Sequence, residues 1–213
     1  MGFMRKLPRL RVVIRHEYLV DKCKGKSVLH LGAVDYYNGE VCGLHKRLMK
    51  VSGSVVGLDI DSDGIDKARS RGIQNIIYGD LERLGEVNIA SKFDIIVAGE
   101  IIEHLSNPGL FLSGVKRFFG SHTEMVVTTP NAFSLHRFLI ALRGLEYVHP
   151  DHVSYYSYTT LEHLLISHGF VVEDRLAYLL EGKLLILRKL LSRINFNFAS
   201  GLIFTVSCRE AES

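Results

Sequence analysis

The sequence predicts an α/β fold, a mostly parallel β-sheet with helices on both faces. Two observations lead to this prediction. From residue 27 onward, short apolar runs alternate with longer stretches of helical periodicity, which is the order of a strand–helix–strand chain. The apolar runs are also continuous, as in strands that are buried on both faces. The length of 213 residues suits one domain of this kind.

The elements follow in order from these patterns. Apolar runs predict strands over residues 27–31, 54–60, 75–78, 93–98 and 125–129. Between them, helices are predicted over residues 40–51, from the capping residues 61–63 to 71, and over 108–119. Beyond Pro130, the pattern predicts helices over 133–143 and 159–168, and closing strands over 170–172 and 202–206.

The first 26 residues differ from the rest because they hold eight basic and two acidic side chains. Apolar residues at helical spacing predict a basic amphipathic helix over residues 9–24. We therefore divide the chain into residues 1–26, a basic helix that covers the site, and the α/β domain of residues 27–213. A second basic amphipathic stretch, residues 183–193, leaves three roles open: core packing, a homodimer, or contact with a membrane surface.

Composition excludes several classes of protein. The apolar fraction of 47% and the charged fraction of 23% are those of a globular chain and exclude a disordered one. The net charge is only +3, and no RNA-binding motif occurs, so no nucleic-acid partner is expected. Three widely spaced cysteines without a CxxC pair predict reduced thiols. No apolar run has the length of a membrane span, and the sequence predicts a cytoplasmic protein.

Ligands of parallel sheets bind beyond the carboxyl ends of the strands, so the residues there are the candidates. Gly32 follows the first predicted strand and permits close approach of the backbone to a ligand. Asp59 ends the second, where a carboxylate accepts hydrogen bonds from both hydroxyls of a ribose; helix capping is the alternative. Asp80 follows the third and accepts from an adenine amine or caps a turn.

Six segments in this order resemble the class I S-adenosylmethionine (SAM) dependent methyltransferases. They are VLHLGAVDYYNG, VVGLDID, YGDLE, FDIIVAGEIIEHLSNPGLFL, TTPNAFS and DHVSYYSYTTLEHLLISHGF. The resemblance covers about residues 27–175. It implies a Rossmann-like fold with about seven strands, one of them antiparallel, and SAM as the cofactor.

The resemblance also implies which residues contact SAM. The loop at Gly32, Ala33 and Val34 would lie against the methionine part, Asp59 would hold the ribose, and Ile60 would pack on the adenine. The implied set of cofactor-binding residues is His30, Gly32, Ala33, Val34, Asp59, Ile60, Asp80, Leu81, Gly99 and Glu100. In it, Asp80 and Leu81 bound the adenine edge, and Gly99 and Glu100 lie beneath the sulfonium.

Three positions depart from the family pattern. His30 replaces an acidic residue, and Val34 and Tyr36 replace two loop glycines. Asp35 or Glu40 could supply the missing acid. A loop altered in this way also leaves open a non-catalytic binding or scaffold protein on the same fold. A nicotinamide-dependent oxidoreductase is a third hypothesis, disfavoured because no GxGxxG occurs.

The resemblance predicts SAM-dependent methylation of a small-molecule or carbohydrate-containing acceptor, with oxygen favoured over nitrogen. The variant loop, followed by Leu44 and His45, resembles methyltransferases associated with polysaccharide synthesis. A hydroxyl acceptor must lose a proton, and His152, Glu103 and His104 are the candidate catalytic residues.

In the similar quinone-biosynthesis O-methyltransferases, an E-x-x-E-H cluster is associated with a divalent metal. The corresponding residues here are Glu100, Glu103 and His104. We expect no metal and interpret Glu103 and His104 as hydrogen-bonding partners of nearby loops. The HPDH segment at residues 149–152 leaves open a metal site, a general base beside aromatic residues, or a structural turn.

Overall fold

The computed structural model describes residues 4–37, 40–180 and 185–208. Within them, the strands are β1 (Arg11–Ile14), β2 (Ser27–Leu31), β3 (Tyr36–Tyr37), β4 (Glu40–Val41), β5 (Ser54–Asp59), β6 (Ile76–Tyr78), β7 (Phe93–Gly99), β8 (Phe119–Pro130), β9 (Phe170–Leu179) and β10 (Gly201–Cys208). The α-helices are α1 (Arg15–Lys22), α2 (Gly43–Val51), α3 (Ser62–Ser70), α4 (Pro108–Gly114), α5 (Leu135–Ala141), α6 (Tyr158–Ser167) and α7 (Leu185–Ile194). Short 3₁₀ helices span Leu81–Glu86, Val115–Phe118 and Phe196–Phe198.

The main sheet contains eight of the described strands in the order β1-β9-β10-β8-β7-β2-β5-β6. Strand β10 runs antiparallel to both of its neighbours, and the other pairs in the sheet are parallel. The predicted fold class is therefore confirmed, with one antiparallel strand. The sheet has eight strands rather than about seven because β1 adds to its edge.

The prediction of one helix over residues 9–24 is wrong at its beginning. Residues 11–14 pair in parallel with β9, from Arg11 opposite Leu176 to Ile14 opposite Leu179. Three β-branched residues favour a strand here, and the open edge of β9 supplies its hydrogen-bonding partners. The helix is confined to Arg15–Lys22, where Leu19 is buried. The three apolar residues Val12–Ile14 are too few to distinguish strand from helix by periodicity alone.

The predicted helix over residues 40–51 also begins later than expected. Residues Glu40–Val41 pair with Tyr36–Tyr37 in a small antiparallel hairpin, so helix α2 starts at Gly43. The carboxylate of Asp35 caps this helix, because it accepts from the backbone N–H of Gly43 at 2.8 Å and of Leu44 at 3.1 Å. A side-chain cap of this kind satisfies amides at the start of the helix, which lack intrahelical partners.

Both faces of the sheet are covered, as the continuous apolar strands predicted. Leu29 and Ile96 belong to one buried apolar cluster. Their neighbours Val28 and Val97 belong to the cluster on the other face. Alternate residues of a strand point to opposite faces, so each of these strands contributes to both clusters. The polar residues that follow the strands are thereby left at the carboxyl edge of the sheet.

Helix α5 contrasts with this core because it has no buried residue. Phe138 and Leu139 are exposed on it, and Leu142 just after it.

Helix α7 confirms part of the second amphipathic stretch, of which residues 183 and 184 lie outside the described residues. A homodimer and contact with a membrane surface stay predictions. In the part of the chain that the structure describes, no helix is long and apolar enough to cross a membrane.

Candidate functional site

The loop after β2 bends where Gly32 adopts a left-handed conformation, with φ of +65°. A Cβ at this position would lie 3.0 Å from Ile101 Cδ1, so only glycine fits without strain. The backbone N–H of Gly32 donates to the carbonyl of Leu58 at 2.9 Å, which ties the loop to the end of β5. Ala33 follows and is fully buried. The loop therefore passes close over the edge of the sheet.

Asp59 connects this loop to the next one. Its Oδ2 accepts from the backbone N–H of Val34 at 2.8 Å, and its Oδ1 accepts from that of Asp61 at 2.9 Å. Burial raises the pKa of Asp59, and these backbone hydrogen bonds oppose the rise. Each oxygen keeps a further lone pair, which fits a carboxylate that receives two ribose hydroxyls.

The residues expected around an adenine lie at the same edge. Ile60 is 59% exposed directly after Asp59 and offers an apolar face that the protein itself leaves uncovered. Asp80 is half-buried and accepts from the backbone N–H of Glu82 at 2.8 Å. Leu81 beside it is buried. Together with Gly32 and Asp59, these residues fit the adenosine part of SAM.

Val34 and Tyr36, which replace two loop glycines, pack against the start of α3. A Cβ on Gly64 would collide with the side chain of Val34 and would lie 2.7 Å from the Tyr36 hydroxyl. Tyr36 also donates to Asp61 Oδ2 at 2.7 Å. The larger side chains are thus accommodated by a glycine in the facing helix, and the loop keeps an ordered path.

His30 lies beneath the loop in a buried pair. Its Nδ1 is 3.1 Å from His45 Nδ1, and the two rings stack with centroids 5.4 Å apart. His45 Nε2 lies 3.3 Å from the side-chain oxygen of Asn75. Burial, together with the neighbouring His45 and Arg15, holds the pKa of His30 well below its ordinary value of 6.5. Asp35 caps α2, so its carboxylate is used there.

Glu100, at the end of β7, is the centre of a network that the sequence did not predict. Its φ is +57°, an uncommon conformation for a residue with a side chain. The Tyr178 hydroxyl lies 2.9 and 2.8 Å from the two carboxylate oxygens, and Thr128 Oγ1 donates to Oε1 at 2.8 Å. Arg15 Nε lies 3.7 Å from Oε1 and donates to Thr128 Oγ1 at 3.0 Å.

Sequence signals for this network are weak. Arg15 is one of several arginines in a basic segment, and no motif distinguishes it from the others. Tyr178 lies among the apolar residues near the end of a strand. Of the three residues around Glu100, only Thr128 falls within one of the motifs named above, TTPNAFS. The arginine also lies beside Gly99, where an added Cβ would be 2.8 Å from a guanidinium nitrogen. The structure therefore brings the basic N-terminal segment to the residues expected beneath the sulfonium.

Glu103 is almost fully buried, with 1% of its surface exposed. Its Oε2 accepts from Thr129 Oγ1 at 2.9 Å, whereas Oε1 has no hydrogen-bonding partner among the described residues. Burial and the nearby Glu100 raise the pKa of Glu103 to about 8. The backbone carbonyl of Glu103 accepts from the N–H groups of Val153 and Ser154. This residue thereby fixes the loop after residue 149 to the end of β7.

His104 is brought together with two histidines of that loop. Its ring centroid is 5.5 Å from that of His149 and 4.5 Å from that of His152. Among the described residues, these three histidines form the group that could ligate a metal ion. One nitrogen from each ring lies within 4.8 Å of the other two. Burial, followed by neighbouring imidazoles, lowers the pKa of His104 and of His152. The structure groups His104 with these histidines and not with Glu100 and Glu103.

An apolar cavity of about 510 Å³ is lined by Tyr147 and Tyr155, the residues on either side of the turn that holds His149 and His152. The Arg137 guanidinium lies over the Tyr155 ring at 4.6 Å, and both residues line the cavity. The charge of Arg137 also reaches His152 and contributes to its low pKa. The rest of the lining is mainly apolar and comprises Ala132, Phe133, Leu135, Phe138, Ala141, Leu145, Glu146, Asn197 and Phe198.

This sheet topology, with a glycine turn, an acidic residue after the next strand and an exposed apolar residue beside it, is typical of nucleoside-binding α/β domains. Comparison with known proteins identifies the family. A family model described as "Methyltransferase domain" matches residues 15–174, and the chain belongs to that family. It is a class I SAM-dependent methyltransferase domain, and SAM is the cofactor to which the site corresponds.

Relatives and solved structures agree with this assignment. The chain is 28% identical over 167 residues to a protein of Mycolicibacterium smegmatis named "Probable S-adenosylmethionine-dependent methyltransferase". It is 28% identical over 160 residues to the ubiquinone biosynthesis O-methyltransferase of Azorhizobium caulinodans. These matches cover 76% and 70% of this chain but only 60% and 56% of the relatives.

Similarity to solved structures concerns the fold. A SAM-dependent methyltransferase from Archaeoglobus fulgidus has a TM-score of 0.63 at 19% identity, with 90% of each chain covered. One from Mesorhizobium loti has a TM-score of 0.60 at 16% identity, covering 90% of this chain and 95% of that one. The predicted Rossmann-like methyltransferase fold is thereby confirmed.

Proposed function

We propose that the protein transfers a methyl group from SAM to a hydroxyl oxygen of a small molecule with an apolar ring-containing body. One observation carries this proposal: an apolar, aromatic cavity is lined by Tyr147 and Tyr155, which flank the turn holding His149 and His152 in the sequence, and the charge of Arg137 in its wall reaches His152. Methyl transfer from a sulfonium is an in-line displacement, so the protein mainly aligns the partners and excludes water.

On the cofactor side, SAM supplies an electrophilic methyl group, and the protein positions it. Asp59 receives the ribose hydroxyls, Ile60 packs on the adenine, and Asp80 bounds the adenine edge. The Gly32 turn gives the methionine part access to the backbone. His30 supports this loop from beneath through its pairing with His45, rather than by direct contact.

Residues 1–26 contribute to the same site through Arg15. With 11% of its side chain exposed, this guanidinium lies beside Gly99 and bridges Thr128 and Glu100. A fixed positive charge at this edge attracts the methionine carboxylate, whereas Glu100 carries the opposite charge for the ammonium and sulfonium. The N-terminal segment thereby serves as one wall of the cofactor site.

On the acceptor side, a hydroxyl group must lose its proton as the methyl group arrives. Burial and the neighbouring imidazoles lower the pKa of His104 and of His152, which favours the neutral rings that can accept a proton. Glu103 holds its proton below about pH 8 and positions the loop. We assign the handling of the acceptor hydroxyl to His104 and His152, and the shaping of the pocket to Glu103.

The relatives and the cavity together favour this acceptor class. Seven of the relatives are named ubiquinone biosynthesis O-methyltransferases, and that name concerns methylation at oxygen. The cavity walls are aromatic and aliphatic, which suits a ring with few polar groups. A carbohydrate-containing acceptor is the alternative that the acceptor screen described below includes, because aromatic side chains also pack against sugar rings.

The first test is calorimetric titration with SAM and with S-adenosylhomocysteine. We expect micromolar binding, weakened about 10- to 100-fold in Asp59→Ala because hydrogen bonds to a charged group are lost. Asp66→Ala is the matched control, since this aspartate on α3 is 74% exposed. Equal affinity in Asp59→Ala and the control would remove Asp59 from the site.

The second test is a screen of acceptors by mass spectrometry for the added methyl group. We expect products from hydroxylated aromatic compounds and none from His152→Ala, which should still bind SAM. Methylation of lipid-linked glycans alone would replace the proposed acceptor class with the carbohydrate one.

A non-catalytic binding protein is the second candidate, motivated by the tight packing of Val34 and Tyr36 against Gly64. It requires that these side chains occupy the space of the methionine part of SAM. A well-folded preparation that binds neither SAM nor S-adenosylhomocysteine would favour it over methyl transfer.

A further inference from the structure

We propose that His104, His149 and His152, the three-histidine cluster, bind a transition-metal ion of the Zn²⁺ type. The cluster consists of one residue after β7 and two from a turn 45 positions later in the sequence. Its members therefore come together through the tertiary fold and not through local sequence spacing.

The turn brings His149 and His152 to one side of the chain. The backbone N–H of His152 donates to the carbonyl of His149 at 3.0 Å, and Pro150 lies between them. The loop is fixed to the segment after β7 by the carbonyl of Glu103, which accepts from the N–H groups of Val153 and Ser154. Because Glu103 directly precedes His104, the same contact sets the separation of the three rings.

The distances are close to those of a metal site. One nitrogen of each ring lies within 4.8 Å of the other two. Tetrahedral zinc with Zn–N bonds of about 2.0–2.1 Å requires nitrogens roughly 3.3 Å apart. Ring rotation closes this difference, and the His149 side chain, 57% exposed, has room to rotate.

One further feature indicates a ligand in place of simple ring packing. His152 Nδ1 is buried and has no hydrogen-bonding partner among the described residues, and an unpaired buried polar atom is unfavourable. A metal ion held by the cluster would give this nitrogen a partner.

The donor set selects the class of ion. Three imidazole nitrogens favour Zn²⁺, Co²⁺, Ni²⁺ or Cu²⁺ over Mg²⁺ and Ca²⁺, which prefer oxygen. The carboxylate of Glu100 is held by Tyr178 and Thr128, and that of Glu103 by Thr129. Among the described residues, His104 has the separation of a metal-ligating group with His149 and His152, and with neither glutamate.

Three protein ligands leave a coordination position open, as in catalytic rather than structural zinc sites. An acceptor hydroxyl oxygen is the ligand class that suits this position. With an ion bound, the lone pairs of His104 and His152 would be used in coordination, and these residues would hold the acceptor hydroxyl through the ion and not as free bases. This use of the open position rests on the proposed function, whereas the binding of the ion does not.

The test uses the full chain, purified without a histidine tag and freed of metal with a chelator. Titration with Co²⁺ is followed by visible absorption, and Zn²⁺ is added as a competitor. We expect one equivalent of Co²⁺ to bind with a d–d spectrum, to be displaced by Zn²⁺ and to be unaffected by millimolar Mg²⁺.

His149→Ala and His152→Ala should each lower the affinity for Zn²⁺ at least about tenfold. His122→Ala is the control, since it removes an exposed histidine on β8 outside the cluster. SAM affinity is measured for every variant, and its retention shows that each is folded. Because His149 is exposed, its variant keeps the test valid if His152→Ala does not fold.

Absence of a Co²⁺ spectrum in the wild type, or equal Zn²⁺ affinity in the two variants and the control, would overturn the metal site. Either result with SAM binding intact would leave the proposed function standing. If the wild type bound Zn²⁺ at the cluster but did not bind SAM, the proposed methyl transfer would be overturned and the proposed metal site would stand.

Discussion

At the scale of single residues, Glu100 shows how a strained position is held in place. Its left-handed backbone is unfavourable for a residue with a side chain, and such residues persist where their surroundings fix them. Tyr178, Thr128 and Arg15 converge on the carboxylate from strands β9 and β8 and from helix α1. Three segments distant in sequence thereby meet where the methyl group is expected.

We expect Tyr178→Phe to destabilise the protein by about 1.5–3 kcal/mol, because the half-buried carboxylate of Glu100 loses both contacts with the buried Tyr178 hydroxyl. The melting temperature should fall by about 2–4 °C for each kcal/mol. Tyr147→Phe, at a residue 65% exposed, is the matched control. Equal melting temperatures for the two variants, measured by calorimetry, would show that the Tyr178 hydroxyl contributes nothing to stability.

The buried pair of His30 and His45 predicts acid sensitivity. Burial lowers the pKa of both residues below 6.5 in the folded state, so below about pH 6.5 the unfolded chain binds more protons than the folded one. Stability is therefore fully present above this pH and is lost as the pH falls, by up to about 1.4 kcal/mol per pH unit for each histidine.

His30→Asn removes one of these titrating rings, so its stability should fall less steeply between pH 7 and pH 5. Urea unfolding at a series of pH values measures the slope, with His122→Asn as the exposed control. The same slope in His30→Asn and the wild type would contradict the assignment of this acid sensitivity to the pair.

At the scale of elements, the start of helix α2 depends on Asp35. Its two carboxylate oxygens accept from the first amides of the helix, so this residue supports the loop over the SAM site from behind. We expect Asp35→Ala to cost about 0.5–2 kcal/mol. The measurement is the midpoint of urea unfolding, which should shift to lower urea.

Asp35→Asn is the matched variant for this cap, because its amide oxygen still accepts one of the two hydrogen bonds. Its midpoint should lie between those of the wild type and Asp35→Ala. A midpoint for Asp35→Ala equal to that of the wild type would show that the helix needs no side-chain cap.

Strand β1 and helix α1 show how one segment serves both fold and site. The parallel pairing of Arg11–Ile14 with β9 fixes the direction of the chain as it enters α1. Arg15, the first residue of that helix, is thereby directed to Glu100 and Thr128. An added edge strand and the placement of the arginine are consequences of the same contact.

At the scale of the whole molecule, SAM should stabilise the folded chain by mass action. At a concentration 100 times its dissociation constant, a ligand that binds only the folded state contributes about 2.7 kcal/mol. This corresponds to a rise of roughly 5–11 °C in melting temperature, and Asp59→Ala should show a much smaller rise at the same SAM concentration. No shift in the wild type would indicate that the loop with Val34 and Tyr36 does not bind SAM.

The sequence by itself determined the order of strands and helices, the parallel core and the positions of Gly32, Asp59 and Asp80 after their strands. These features depend on local periodicity and on chain order, which the sequence carries directly. The family followed from the same six segments, because they resemble the family's motifs in the same order, apart from His30, Val34 and Tyr36 in the first of them.

Only the tertiary structure decided which side chains meet. Arg15 and Tyr178 reach Glu100, and His149 and His152 reach His104, across 45 or more positions of sequence. Such contacts depend on the register of strands and the path of loops, which periodicity does not encode. Residues 11–14 became a strand for the same reason: the open edge of β9, distant in sequence, supplied the hydrogen bonds that an isolated segment lacks.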